Sequence, residues 1–183
     1  MPRIIVHCSA SKFGTAIMID QWHRSPPRKW RSIGYHAVIE NGFPHASFLT
    51  AAPGGKPKRI KLQNGAISFG RALDADADID AHETGAHAYG FNRDTLAICL
   101  IGEDVFTKQQ VIALVKVIRL FDTWFKIGIT AQNVEQFVLG HCELSGVNKM
   151  CPNINMSIVR ELVSNKVETF ELFKSLANVR EVI

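Results

Sequence analysis

The run Thr95-Leu96-Ala97-Ile98-Cys99-Leu100-Ile101 is the feature that most constrains this chain. It is β-prone and apolar without alternation, so neither of its faces suits water. Such a strand belongs in the middle of a sheet that is covered on both sides. The clearest helix follows it. Thr107 and Gln110 have capping-box spacing. Val111, Leu114, Val115, Ile118, Phe121 and Phe125 then form an apolar stripe at helical intervals, which reads as a core face.

The remaining elements fit around this pair. Residues 3–8 read as a first strand that delivers His7 and Cys8 at its C-terminal end. Side chains alternate along a strand, so these two should not share one site. Residues 15–23 read as a helix with Ile19 and Trp22 on one face, and 24–31 as a Pro-rich loop. A strand is expected over 34–40, with a turn at Asn41-Gly42 and a long irregular stretch over 43–63. The Asn64-Gly65 turn leads into a short strand, 66–69, and 72–87 reads as a loop. A short strand over 137–140 ends at His141. Two helices close the chain, at about 158–165 and 167–177. The expected fold class is α/β: one domain over 1–183, with a central mixed β-sheet flanked by α-helices. Its core spans about 3–155 and its C-terminal helices about 156–180. A length of 183 residues suits one domain.

Composition excludes several classes. The apolar fraction of 46% and charged fraction of 21% are those of an ordinary globular chain. No apolar run approaches the ~20 residues that span a bilayer, so no membrane partner is expected. The N-terminal apolar segment is too short for a signal peptide. The expected location is therefore the cytoplasm, and any target outside it must be reached by another route. The net charge of +4 selects no partner. Basic clusters at 24–31 and 56–59 read as solvated loops, and nucleic-acid binding would need more charge with interleaved aromatics. The four cysteines form no CxxC pair, which argues against a zinc ribbon or redox motif.

His7, His141 and Cys151 are a chemically sensible metal set. Zinc takes imidazole nitrogen and thiolate sulfur in a tetrahedral shell, and three protein ligands leave one position open. Spacing alone does not select this triple, because seven histidines and four cysteines offer many others.

The local sequences do select it. Ile5-Val6-His7-Cys8-Ser9-Ala10, Gln21-Trp22-His23 and Ile33-Gly34-Tyr35-His36 occur in order. Gly85-Ala86-His87-Ala88-Tyr89-Gly90-Phe91-Asn92 and Leu96-Ala97-Ile98-Cys99-Leu100-Ile101-Gly102 follow. Gly140-His141-Cys142-Glu143 and Lys149-Met150-Cys151-Pro152 complete the series. Together these resemble the type-2 N-acetylmuramoyl-L-alanine amidases, a family that includes phage amidase endolysins and peptidoglycan recognition proteins. The resemblance covers roughly residues 3–155.

It implies one Zn2+ held by His7, His141 and Cys151, and peptidoglycan as the partner of a monomeric enzyme. The bond cut is the amide between the lactyl group of muramic acid and L-alanine. Zinc there lowers the pKa of bound water toward ~7 and polarises the carbonyl. A thiolate ligand weakens the metal as a Lewis acid, so further polar help is expected. Tyr35 matches the family's catalytic tyrosine, and Lys149 the lysine that stabilises the oxyanion. The bland alternatives are a core-edge aromatic and a solvated loop lysine. His87 matches a groove histidine and is a substrate-binding candidate with Asn92. An exposed loop histidine and a turn-shaping asparagine are the alternatives. Glu143 is a candidate partner for a ligand imidazole. Cys8 and Cys142 read as small buried residues.

Two departures carry meaning. Recycling amidases of the superfamily have Glu at the position of Cys99 and Asp at that of Cys151, so this chain follows the lytic, phage-type pattern. The 43–63 stretch is longer than the tight turn of the simplest members, and is expected to form one wall of a substrate groove. The rival readings are a non-catalytic peptidoglycan-binding module and an amidase with an added polymerase-regulating role. Relatives of the first kind usually lose the thiolate ligand, and no separate feature supports the second.

Overall fold

The structure is a computed structural model, and it describes residues 1–50, 56–74 and 76–165. Its frame is a five-stranded sheet. The strands are β1 (Arg3–Cys8), β2 (Ala37–Asn41), β3 (Asn64–Phe69), β4 (Thr95–Leu100) and β5 (Val138–Gly140), in the order β3-β2-β4-β1-β5. β1 runs parallel to both β4 and β5, β2 runs parallel to β4, and β3 is antiparallel to β2. The apolar run is therefore central, and all six residues of β4 are buried.

Four α-helices accompany the sheet among the described residues: α1 (Ala16–Arg24), α2 (Lys108–Trp124), the single turn α3 (Val134–Phe137) and α4 (Met156–Ser164). Alternation along β1 splits the core in two. Ile4 and Val6 join Leu96, Ile98 and Leu100 beneath α2 and α4. Ile5 faces the other way, onto Ala88 and Leu144. Cys99 and Ile101 meet Ile19 of α1, Ile33 and Val38 on that second side. The expected α2 stripe is buried throughout, and the Thr107–Gln110 capping box is formed.

Several expectations shift. The second strand starts at Ala37 rather than Gly34, because the preceding backbone bonds elsewhere. The Gly34 carbonyl accepts from Ala86 N–H at 3.0 Å and the Tyr35 carbonyl from Arg71 N–H at 2.8 Å. The Asn64-Gly65 pair opens β3 instead of preceding it. On α1 the buried pair is Ile19 and His23, while Trp22 keeps 36% of its surface exposed. His23 is drawn inward because its Nδ1 accepts the Gly34 N–H at 3.0 Å. The expected helix at 167–177 lies outside the described residues.

Two buried polar side chains tie the layers together. Gln110 is fully buried; its amide donates to the carbonyls of Ile101 (2.8 Å) and Ile39 (3.3 Å) and accepts from Thr107 N–H. His36 is also fully buried, accepting Ala97 N–H at Nδ1 (2.8 Å) and donating from Nε2 to the Glu83 carbonyl (3.0 Å).

Replacing Gln110 with Leu is expected to cost about 2–3 kcal/mol, because the Ile101 carbonyl and Thr107 N–H are left buried and unpaired. Denaturant unfolding reads this directly, and an unchanged midpoint would contradict it. Burial holds His36 down to about 4. The unfolded chain therefore binds more protons than the folded one between about pH 6.5 and 4, and stability must fall as pH drops through that window. Chelator-treated protein whose melting temperature is flat across this range would refute the assignment.

Candidate metal centre

The centre forms where the C-terminal ends of β1 and β5 lie side by side. Register pairs Val6 with Gly140, so His141 leaves β5 level with His7. The two rings sit 4.4 Å apart by their centroids. The loop after Glu143 returns Cys151 to the same place, held by Cys142 N–H donating to the Cys151 carbonyl at 2.7 Å. His7 Nδ1 then lies 3.8 Å from Cys151 Sγ. One donor atom from each of His7, His141 and Cys151 falls within 4.8 Å of the others. A tetrahedral zinc with ordinary bond lengths separates nitrogen from sulfur by about 3.6 Å. The donor set and its spacing therefore fit such an ion.

Electrostatics prepare the imidazoles. His7 is 1% exposed, and burial first, then the His87, His141 and Lys149 charges, hold its pKa well below the usual value. His141 is lowered by burial and then by the Lys149 ammonium. Both rings are thus neutral near pH 7, with lone pairs available. Cys151 behaves oppositely with protein charges alone: a hydrogen bond with the Cys8 thiol, then burial, raises it. A divalent cation beside Sγ reverses that order, since a metal-bound thiol loses its proton.

Two further candidates stand beside the ligands. Tyr35 precedes β2, and its ring centroid is 5.3 Å from that of His7. Burial, followed by the Cys99 and Cys151 sulfurs, lifts its pKa well above the usual value. Its hydroxyl therefore keeps its proton near neutrality and acts as a donor. Lys149 is exposed, close enough to bear electrostatically on His7 and His141.

No family model matches the chain. The N-acetylmuramoyl-L-alanine amidase LysC from Clostridium intestinale has a similar structure, with a TM-score of 0.59 and 23% identity over 87% of this chain and 83% of that one. The fold is that of the amidases and peptidoglycan recognition proteins. Drosophila PGRP-LB shares it with a TM-score of 0.55 at 18% identity, covering 100% of this chain and 84% of that one. In sequence, the endolysin of Enterobacteria phage K11 is 28% identical over 123 residues, which is 61% of this chain. The match spans 60% of that endolysin's own length.

Within this amidase-like fold, the two candidate substrate contacts have other partners. His87 Nδ1 is 3.0 Å from His7 Nε2, and His87 Nε2 is 3.1 Å from Thr95 Oγ1. Burial, followed by the His36 and His141 charges, pushes His87 down to about 3, so it too is neutral. Asn92 Oδ1 accepts the N–H groups of His87 (2.8 Å) and Ala88 (2.9 Å), clamping the loop. Gly34 allows that loop to approach, since a Cβ there would meet the Ala86 carbonyl oxygen at 2.2 Å. Glu143 does not reach an imidazole. Its Oε2 accepts Gly140 N–H at 2.7 Å and pairs with Arg160.

Strand alternation misplaces Cys8. Its N–H donates to Cys151 Sγ at 3.4 Å and its thiol hydrogen-bonds the Cys151 thiol, so it adjoins the centre. Cys142 is exposed rather than buried. The 43–63 stretch contributes Phe43, Leu49 and Arg59 to a cavity of about 360 Å³. Lys12 and Glu103 line it from the loops that follow β1 and β4, and Asn153 Nδ2 donates to the Glu103 carbonyl at 3.2 Å, joining this cavity to the Cys151 loop. Sequence reasoning also missed Glu83. This fully buried carboxylate accepts the N–H groups of Asp74 and Asp80 (2.5 and 2.9 Å) and pins the acid-rich loop.

Titrating the metal-free protein with zinc is expected to give one ion per chain and a raised melting temperature. Cys151→Ser should remove most of that rise. A full rise in the variant would exclude Cys151 as a ligand.

Proposed function

We propose that this chain is a zinc-dependent N-acetylmuramoyl-L-alanine amidase of peptidoglycan that works as a phage or prophage endolysin. The observation that carries the reading is the convergence of His7, His141 and Cys151 beside Tyr35 and Lys149. The fold and the endolysin relative support it, although the match spans 60% of that relative. We further propose a monomeric single domain over 1–183, which accumulates in the cytoplasm before release to the wall.

Bound zinc would supply Lewis acidity and an acidified water. The chain's own residues supply the rest. His7 and His141 stay neutral and keep lone pairs for the ion, and Cys151 contributes a negative charge. That charge offsets part of the metal's pull on the substrate, so the carbonyl needs a second source of positive potential. The Lys149 ammonium provides it at the exposed side of the site, where an amide carbonyl gains negative charge as it becomes tetrahedral. The Tyr35 hydroxyl, held protonated by burial, donates a hydrogen bond that orients the attacking oxygen or steadies the oxyanion. Burial of Tyr35 against Cys99 fixes its ring and keeps bulk water from its inner side. The 43–63 stretch, which lines its cavity through Phe43, Leu49 and Arg59, would form one wall of the substrate groove.

Digestion of purified peptidoglycan is the test. Free L-alanine amino groups should appear without new reducing ends, a chelator should stop the reaction, and zinc should restore it. New reducing ends alone would mean a glycosidase and end the proposal. Wall binding without amide cleavage would instead favour a binding module. Tyr35→Phe and Lys149→Met are each expected to lower kcat about 10²-fold with zinc binding retained. Full activity in either variant would remove that residue from the catalytic set.

A further inference from the structure

A chain of partly buried hydrogen bonds starts behind the candidate metal centre and ends on a main-chain carbonyl. His7 Nε2 is 3.0 Å from His87 Nδ1, and His87 Nε2 is 3.1 Å from Thr95 Oγ1. Thr95 Oγ1 lies 2.5 Å from the Phe91 carbonyl oxygen and 3.2 Å from that of Asn92. Thr95 is fully buried at the start of β4 and His7 is 1% exposed at the end of β1. The two ends of the relay, the Thr95 hydroxyl and the His7 ring, are therefore shielded from solvent.

Proton placement along the chain follows from its terminus. A carbonyl oxygen accepts and never donates, so the single Thr95 hydroxyl proton must point to Phe91 or Asn92. The lone pairs of Oγ1 then face His87, whose Nε2 must carry the proton. A neutral imidazole has one N–H, so His87 Nδ1 is an acceptor. His7 must therefore donate from Nε2, and its Nδ1 is left bare. Nδ1 is the atom that lies 3.8 Å from Cys151 Sγ.

We infer that Thr95 and His87 are positioning residues that set the ring tautomer of His7, so that its metal-facing nitrogen is unprotonated before a divalent cation arrives. This rests on the proposed metal centre and goes beyond it. A free imidazole in water populates both neutral tautomers, and the wrong one presents an N–H to the ion. Here the Phe91 carbonyl, at the far end of the hydrogen-bond chain, selects the right one. Asn92 contributes from the side: its Oδ1 holds the N–H groups of His87 and Ala88 and fixes where the His87 ring hangs. His87 is accordingly a groove-loop residue that acts on the ligand from behind rather than on the substrate.

Two measurements test this. The first is nitrogen-15 NMR of the histidine rings in metal-free protein near pH 7.5. His7 and His87 should both show the Nε2–H tautomer, with Nδ1 bare. A His7 ring protonated at Nδ1 would overturn the inference, whatever the protein does with zinc. The second is zinc affinity by chelator competition. Thr95→Val keeps the side-chain shape and removes the hydroxyl; it should weaken zinc about 10-fold to 100-fold and mix the His7 tautomers. Thr95→Ser restores the hydroxyl and should stay within about 3-fold of wild type.

A second pair covers misfolding of the valine variant. His87→Asn keeps an acceptor near the Nδ1 position and should bind zinc better than His87→Leu by about 10-fold or more. Wild-type zinc affinity and tautomers retained in both Thr95→Val and His87→Leu would refute the inference while leaving the metal centre intact. Failure of the wild-type chain to bind zinc would instead count against the metal centre itself, and the NMR result would still decide the tautomer.

Discussion

The parallel pairing of β1 with β4 is the constraint on which the rest depends. Both strands are buried and apolar along most of their length, so neither can slip by one residue without exchanging its two faces. With the register fixed at His7 opposite Cys99, Ile4 and Val6 must enter the core under α2, and Ile5 and His7 must face the other side. That second side is where α1, Tyr35 and the 85–92 loop gather. The centre is a consequence of where a hydrophobic sheet has to put one histidine.

Once His7 is placed, the other groups arrive by different physical routes. His141 comes by strand pairing, since β5 ends level with β1. Cys151 comes by a loop that wraps the strand ends and is anchored through Cys142. Tyr35 comes by steric permission: Gly34 lets the Ala86 backbone sit against it, so the tyrosine and the His87 loop are positioned together. Burial then tunes what has been assembled, keeping the imidazoles neutral and the phenol protonated.

Much of this was legible in the sequence because it rests on local or periodic rules. The central strand, the capped helix α2 and its stripe follow from apolar patterning alone, and the order of the strands' histidine-bearing ends follows from motifs that lie in line. What escaped depends on approach between distant segments. Cys8 and His7 do point apart along β1, yet the Cys151 loop closes over the end of the strand and touches Cys8 from there. Ile19 and Trp22 share a helical face, but a hydrogen bond from Gly34 rotates preference to His23. The hydrogen-bond chain through Thr95 is invisible in sequence, since a threonine opening a strand looks like any β-former. Glu83 carries no signal in the sequence, because only the folded loop brings Asp74 and Asp80 N–H groups to both of its oxygens.

The contact between His7 and Cys151 spans 144 positions along the chain. An ion seated between them would be a clasp that shuts a loop containing most of the protein. Closing so long a loop costs entropy that grows slowly with length, and whatever holds the ends recovers it in the folded state. The same separation orders events during synthesis. His7 leaves the ribosome early and waits without its partners until β5 and the cysteine loop have been made. The three-ligand set cannot assemble on a half-made chain, so zinc held there would itself report that the described fold is complete.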